Sequence, residues 1–68
     1  MIIISGIKKC RVAADMTQKE LALKMGVKQS CISMWERKER YPDLVSLKKL
    51  AYILGCTADQ LIEDIEIK

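Results

Sequence analysis

Apolar residues recur at the three- and four-residue spacing of α-helices through most of this 68-residue chain. The first such stretch places Ile7, Cys10 and Ala14 on one face, and Ser5 is suited to the N-cap position that precedes a helix. The pattern therefore predicts a first helix over about residues 5–14.

The middle of the chain predicts two helices joined by a tight turn. Thr17 and Glu20 have the spacing of a capping box, in which both side chains accept backbone N–H groups at a helix start. Gly26 stands where a left-handed residue would end that helix, so a second helix begins near Lys28. The buried stripes predicted for this pair are Leu21, Ala22, Met25, Cys31, Ile32 and Trp35. The opposite arc of the second helix carries Gln29, Ser30, Ser33 and Arg37, with Met34 at its edge.

Two further helices follow a charged loop over residues 38–43 that holds the only proline, Pro42. Asp43 is placed to cap a fourth helix, which ends at Gly55. A second capping box, from Thr57 to Gln60, opens a short fifth helix. The core positions predicted in these two helices are Leu47, Leu50, Ala51, Leu54 and Leu61.

The two ends of the chain differ from this helical pattern. Ile2, Ile3 and Ile4 form a β-branched run, and Ile65-Glu66-Ile67 alternates apolar with polar, which is typical of short strands. The pattern predicts an all-α, compact five-helix domain with short terminal β-strands, and a single domain over residues 1–68.

Composition excludes several classes of protein. No run approaches the roughly 18 apolar residues of a membrane span, so we expect a cytoplasmic protein without membrane contact. Cys10, Cys31 and Cys56 are odd in number and form no CxxC pair, which argues against a disulfide framework and a zinc site. We expect reduced, mostly structural thiols, no metal and no cofactor. An enzyme is disfavoured because the chain has no histidine and no glycine-rich phosphate loop.

Charge is unevenly distributed along the chain. Residues 1–40 hold nine basic and four acidic residues, a net charge of +5, whereas the remainder has a net charge of −2. A basic half facing a polyanion and an acidic half facing away would produce that division. Solvated surface charge alone would also produce it.

Three segments resemble the helix-turn-helix of phage repressor and Cro-type (XRE-like) regulators: MTQKELA from Met16, MGV from Met25 and ISMWER from Ile32. Arg11, Tyr41-Pro42-Asp43, the run from Leu50 to Gly55, and Leu61 also fall at corresponding places. The resemblance covers about residues 5–63, with the helix-turn-helix over about 17–37. It implies a lambda-repressor-like DNA-binding domain whose helix over about residues 28–37 lies in the major groove.

The resemblance implies a small bacterial, phage or mobile-element transcriptional regulator, expected to act as a repressor on double-stranded DNA. Gln29 is the best candidate for reading a base, because an amide can bond both N6 and N7 of adenine. Gln18, at the start of the first helix of the pair, is a candidate phosphate ligand. Weaker candidates for base or phosphate contact are Ser30, Ser33 and Met34. The alternative for Gln29 is simple solvation, and the alternative for Gln18 is that it is only a good helix residue after its cap.

The cations next to the second helix are candidate phosphate ligands: Lys28, Arg37, Lys38 and Arg40. Lys28 replaces the small capping residue that the family usually has, so this helix is expected to start with a poor cap. Lys38 stands where the family commonly has glycine, and a lysine at positive φ would be strained by about 1 kcal/mol. Glu39 stands where a basic residue is common and would repel phosphate.

The resemblance also implies an ion pair between Arg11 and Glu36 that joins the first helix to the end of the third. Trp35 is expected to pack in the core and not to stack on bases. We further expect a homodimer on a palindromic operator, formed through Ile2, Ile3, Ile4, Ile65 and Ile67 and the fifth helix. The competing interpretation is an antitoxin or adaptor that uses the same fold chiefly to bind a regulatory protein partner.

Overall fold

Five helices and two short strands make up the part of the chain that the computed structural model describes, residues 2–4 and 6–65. The elements follow in the order β1 (Ile2–Ile4), α1 (Ile7–Ala13), α2 (Gln18–Met25), α3 (Gln29–Glu36), α4 (Leu44–Leu54), α5 (Ala58–Leu61) and β2 (Ile62–Ile65). The predicted five-helix architecture is confirmed.

Three of the helices begin with the side-chain caps that the sequence predicts. The hydroxyl of Thr17 accepts the backbone N–H of Glu20 at 3.0 Å, and the Glu20 carboxylate accepts the N–H of Thr17 at 3.0 Å. The Asp43 carboxylate accepts the N–H of Ser46 at 2.8 Å, and Thr57 forms a second capping box. These bonds satisfy N–H groups that have no partner within the helix, and so they fix where α2, α4 and α5 start.

Each of the four longer helices is followed within two residues by a residue with positive φ. These residues are Asp15, Gly26, Lys38 and Gly55, with φ of 58°, 73°, 63° and 66°. At each end two backbone N–H groups turn back to carbonyls of the last turn, as in the bonds from Val27 to Ala22 and from Cys56 to Ala51. This is the Schellman arrangement, which satisfies carbonyls at the end of a helix. Two of the four ends therefore use a residue other than glycine.

One core joins all five helices. Its buried members are Ile7, Leu21, Ala22, Met25, Ile32, Trp35, Leu47, Leu50, Leu54 and Leu61. Four predicted core residues are only partly buried and pack against the rim of this cluster: Cys10, Ala14, Cys31 and Ala51. Because α2, α3 and α4 each contribute two or three buried side chains, the helix pair is held as part of one packed unit.

The first helix is shorter than predicted. It spans Ile7–Ala13, and Gly6 occupies the N-cap position without a side-chain cap. The expected cap, Ser5, lies outside the described residues. Gly6 itself donates its N–H to the carbonyl of Leu61 at 3.0 Å, so the start of α1 is tied to the end of α5.

Gly6→Ala is expected to destabilise the domain although the backbone at Gly6 has ordinary dihedrals, φ −87° and ψ 0°. A Cβ at this position would lie 2.2 Å from the carbonyl oxygen of Gln60, and that oxygen belongs to the backbone. Relieving such overpacking costs about 1–3 kcal/mol. Urea unfolding followed by circular dichroism measures the change. Unaltered stability would mean that α1 and α5 can separate freely.

The terminal strands pair with each other within the chain. β1 and β2 form a two-stranded antiparallel sheet in which Ile2 is opposite Ile65 and Ile4 is opposite Ile62, with an irregularity between Ile3 and Ile4. The expected dimer residue Ile67 lies outside the described residues. Intrachain pairing satisfies one edge of each strand and leaves each with one outer edge.

Among the described residues, no helix is long and apolar enough to cross a membrane.

Candidate nucleic-acid interface

The third helix has two chemically different sides. Ile32 and Trp35 are buried, with exposed fractions of 0% and 6%. Gln29 and Ser30 are exposed, whereas Ser33 and Met34 are partly buried. Four of the residues predicted to face DNA lie on α3 outside its buried stripe, and they are called the polar arc below: Gln29, Ser30, Ser33 and Met34.

The start of α3 has no side-chain cap. Lys28 occupies the N-cap position in an extended conformation, with φ −75° and ψ 150°, and makes no capping hydrogen bond. The first-turn N–H groups of a helix carry partial positive charge, and an exposed cation stands beside them here. This end of the helix thus offers both backbone donors and a cation to an anion.

A partly buried network of charged and polar groups anchors the other end of α3. The Arg11 Nε donates to Glu36 Oε2 at 2.7 Å, and a second Arg11 nitrogen, Nη2, donates to Oε1 at 3.3 Å. The two side chains are 12% and 4% exposed. Arg11 Nη1 also donates to the carbonyl of Met16 at 2.7 Å. The bidentate pair therefore connects α1, the segment before α2 and the end of α3.

Gln18 belongs to the same network, which the sequence did not predict. Its Nε2 donates to Glu36 Oε1 at 3.0 Å, so the amide links the first residue of α2 to the last residue of α3. A side-chain amide nitrogen carries two N–H groups, and one of them is used here. Eighteen residues separate Gln18 from Glu36. No local pattern signals such a contact, because it depends on how the two helices pack.

The loop after α3 is held by the backbone. Lys38 donates its N–H to the carbonyl of Trp35 at 3.2 Å, and Glu39 donates to Met34 at 3.0 Å. Arg37 and Glu39 form an ion pair at 3.3 Å, with both side chains more than half exposed. Such a pair contributes little and is easily replaced. The loop thus presents three cations, Arg37, Lys38 and Arg40, with one of them paired to Glu39.

Lys38→Gly is expected to stabilise the domain relative to Lys38→Ala by about 1 kcal/mol, because alanine keeps the positive φ and glycine relieves its strain. Both variants lack the cation, so the comparison separates backbone strain from charge. Thermal unfolding of the two variants side by side measures the difference. Equal stability would contradict a strained residue at the end of α3.

A hollow of about 300 Å³ lies between α2 and the start of α3. Lys19, Leu23, Val27 and Gln29 line it, together with Ala22. Leu23 is 83% exposed although it is large and apolar. Gln29 therefore stands next to apolar surface as well as next to cations.

The described residues contain no group of three or more His, Cys, Asp or Glu side chains that could hold a metal ion. Two capping carboxylates have lowered pKa values. The Thr17 backbone N–H lowers the pKa of Glu20 below its ordinary value of 4.5, and the Ser46 N–H lowers the pKa of Asp43 below 3.8. Both carboxylates accept backbone N–H groups at the starts of helices, and neither belongs to the polar arc.

The fold, in which α2 and α3 are joined by a turn at Gly26 and α3 carries the polar arc, defines a helix-turn-helix domain. The family model described as Helix-turn-helix matches residues 7–61. The chain belongs to this family, in its Cro/C1 (XRE) type, whose members are DNA-binding transcription regulators.

Several known proteins are similar to this chain. The HTH-type transcriptional activator BcrR of Enterococcus faecalis is 31% identical over 61 residues, which are 90% of this chain and 30% of BcrR. The chain thus spans less than a third of that relative. The P22 c2 repressor, solved with a synthetic operator in the presence of Tl⁺, aligns with a TM-score of 0.79 and 30% identity over 93% of this chain and 96% of the repressor.

The biofilm regulator SinR is also similar in structure. SinR in complex with DNA aligns with a TM-score of 0.77 and 32% identity, over 87% of this chain and 95% of that one. The complex of SinR with the SinI protein aligns with a TM-score of 0.79 and 30% identity, over 91% of this chain and 61% of that one.

Proposed function

We propose that this protein is a sequence-specific regulator of transcription that inserts α3 into the major groove of double-stranded DNA. The observation that carries the proposal is the polar arc of α3, which has Gln29 and Ser30 exposed while Ile32 and Trp35 are buried. The Arg11–Glu36 pair holds this helix in place. The structures of SinR with DNA and of the c2 repressor with an operator support it, because the chain is at least 30% identical to both.

Gln29 is proposed as the residue that reads a base. It is exposed at the first position of α3, and the N-terminal residues of a recognition helix are those that contact base edges. Its amide can bond N6 and N7 of adenine together, for about 1–3 kcal/mol of discrimination. Ser30 and Ser33 supply hydroxyls to bases or phosphates, and Met34 supplies apolar contact to a thymine methyl group.

Phosphate contacts are proposed for the cations that flank the polar arc, Lys28, Arg37, Lys38 and Arg40. Gln18 joins them through the second N–H of its amide, while the first stays bound to Glu36. Arg37 reaches DNA by exchanging its exposed partner Glu39 for a phosphate. Each such contact makes the fall of log affinity with log salt concentration steeper by about 0.9.

The phosphate contact proposed for Lys28 can be tested with one substitution. A serine at the N-cap would restore the missing cap and remove the cation. Lys28→Ser is therefore expected to be more stable in the free protein, by about 1 kcal/mol, yet to bind DNA more weakly and with a shallower salt slope. Unchanged affinity and slope would remove Lys28 from the interface.

The biological setting is also proposed. We infer a cytoplasmic repressor that binds a palindromic operator as a homodimer, since paired recognition helices meet grooves about 34 Å apart. The terminal sheet, with one outer edge on each strand, and α5 are the proposed dimer surface. Sedimentation at high micromolar concentration is expected to give a dimer. A monomer would overturn this surface.

The proposal as a whole is tested by selecting bound DNA from a random pool. Enrichment of a two-fold symmetric sequence is expected, with half-sites about one helical turn apart. Enrichment of a single half-site would support DNA reading without the dimer. No enrichment at all would contradict sequence-specific binding.

A protein partner is the second candidate function, and two observations favour it. One SinR structure contains the SinI protein, and α4 exposes large apolar side chains: Leu44, Val45 and Tyr52 are 68%, 74% and 88% exposed. These residues lie on α4 and not on the polar arc, so a partner there would act together with DNA binding. Substituting Val45 and Tyr52 by serine is expected to leave DNA binding intact. If this variant no longer enriches a DNA sequence from the random pool, α4 is part of the DNA interface.

A further inference from the structure

The hollow between α2 and the start of α3 combines apolar and polar side chains. Its apolar members are Ala22, Leu23 and Val27, and its polar members are Lys19 and Gln29. Ala22 is 4% exposed and Val27 packs partly buried against the core, so these two lie at its base. Leu23 is 83% exposed and lies at its rim. A concave apolar surface open to solvent therefore lies beside a cation and an amide.

Leu23 differs in its surroundings from the other large apolar side chains that are exposed among the described residues. These others are Val12, Tyr41, Leu44, Val45 and Tyr52. None of them lines this hollow. A single exposed apolar side chain is ordinary on a protein surface. Leu23, by contrast, extends a concave apolar surface that reaches Gln29, and concave apolar surfaces with a few polar groups are typical of binding sites.

We propose that this hollow receives the edge of a thymine nucleotide of the operator, with the thymine C5-methyl group against Leu23 and Val27. The inference rests on the proposed DNA binding by α3 and adds to it a contact from α2 and the turn. Gln29 lines the hollow and also belongs to the polar arc, so the hollow is continuous with the proposed DNA interface. The thymine is therefore next to the base that Gln29 reads.

The lining of the hollow selects thymine among the four bases. In the major groove thymine alone presents a methyl group, whereas the edges of the other three bases present hydrogen-bond donors and acceptors. Apolar side chains bury a methyl group favourably but leave a donor or an acceptor without a partner. One buried group of this size contributes about 0.8 kcal/mol, which corresponds to about fourfold in affinity.

Lys19 offers charge to a phosphate beside that thymine. It is exposed at the second position of α2, four residues before Leu23 and on the same face of the helix. The first helix of a helix-turn-helix pair crosses the phosphate backbone, and Gln18, a proposed phosphate ligand, precedes Lys19. The hollow thus presents apolar surface to a base and a cation to the DNA backbone.

Deoxyuridine tests the methyl contact, because it differs from thymidine only in lacking the C5-methyl group. Each thymine of the selected operator is replaced by deoxyuridine in turn, and affinity is measured for wild type, Leu23→Ala and Leu23→Met. At one thymine in each half-site, next to the base that Gln29 reads, the replacement should weaken wild type and Leu23→Met about fourfold. Leu23→Ala should bind the thymine and deoxyuridine operators equally.

Matched variants separate this contact from a general loss of affinity. Leu44→Ala removes a leucine that is 68% exposed on α4 and outside the hollow, so it should keep the full deoxyuridine effect. Lys19→Gln should weaken all operators and make the fall of log affinity with log salt concentration shallower by about 0.9. Lys24→Gln, on the same helix but outside the hollow, should leave that slope unchanged. Helical circular dichroism and Trp35 fluorescence establish that each variant is folded.

Three results would overturn the inference while DNA reading by α3 stands. They are an operator without a thymine beside the base that Gln29 reads, a deoxyuridine scan without effect, and an effect that Leu23→Ala keeps in full. An effect lost in Met34→Ala but kept in Leu23→Ala assigns the methyl contact to the polar arc and likewise contradicts the inference. A random pool that yields no enriched operator is the failure of the proposed function itself and overturns both.

Discussion

Glu36→Ala is expected to lower the free energy of unfolding by about 3–5 kcal/mol, because it leaves the largely desolvated guanidinium of Arg11 without its carboxylate. Arg11 is only 12% exposed and would retain one bond of those described, to the carbonyl of Met16. Gln18 would lose its acceptor as well. Urea unfolding followed by circular dichroism measures the loss.

Glu36→Gln is the matched control for this prediction. Glutamine keeps the shape of the side chain and one acceptor oxygen, but it removes the charge that Arg11 faces. The free energy of unfolding of Glu36→Gln should therefore lie between those of wild type and Glu36→Ala. A loss below about 1 kcal/mol for Glu36→Ala would mean that the pair acts as an exposed one, contrary to its burial.

Trp35→Ala is expected to cost about 3–5 kcal/mol by leaving a cavity in the core. Trp35 is 6% exposed and belongs to the cluster that joins all five helices. A chain of 68 residues has a total stability of about 3–10 kcal/mol, so a large unfolded fraction should result. Circular dichroism must report it, since Trp35 is the only tryptophan.

Trp35→Phe separates packing from DNA contact. Phenylalanine retains an aromatic ring in the core, so this variant should remain folded and bind DNA nearly as wild type does. A folded Trp35→Ala chain with normal stability and lost DNA affinity would instead make Trp35 a base-stacking residue.

Local signals predicted most of the fold. Thr17, Asp43 and Thr57 each accept a backbone N–H from three residues ahead, and that spacing is visible in the sequence. Gly26 and Gly55 end their helices with positive φ for the same local reason. The positive φ considered for Lys38 is also observed. It could be anticipated from the sequence because Lys38 stands where the family commonly has glycine.

Contacts between distant segments were not predictable in this way. The Gln18–Glu36 bond and the approach of Gly6 to Gln60 depend on helix packing, and neither has a local pattern. Asp15, which follows α1, has positive φ although it is not glycine. Aspartate adopts the left-handed region more readily than most residues, so no glycine marks the end of α1 in the sequence. The pairing of β1 with β2 was likewise not predicted. The proposed dimer surface is therefore the outer edges of one sheet and not two unpaired strands.

Affinity for the selected operator and its single-base variants tests the central proposal most directly, measured for wild type, Gln29→Ala and Arg37→Ala. Gln29→Ala should lose about 1–3 kcal/mol of preference at one base position in each half-site. Arg37→Ala should weaken all sequences equally and reduce the salt slope by about 1. If Gln29→Ala keeps the wild-type preference at every position, α3 does not read DNA through the polar arc as proposed.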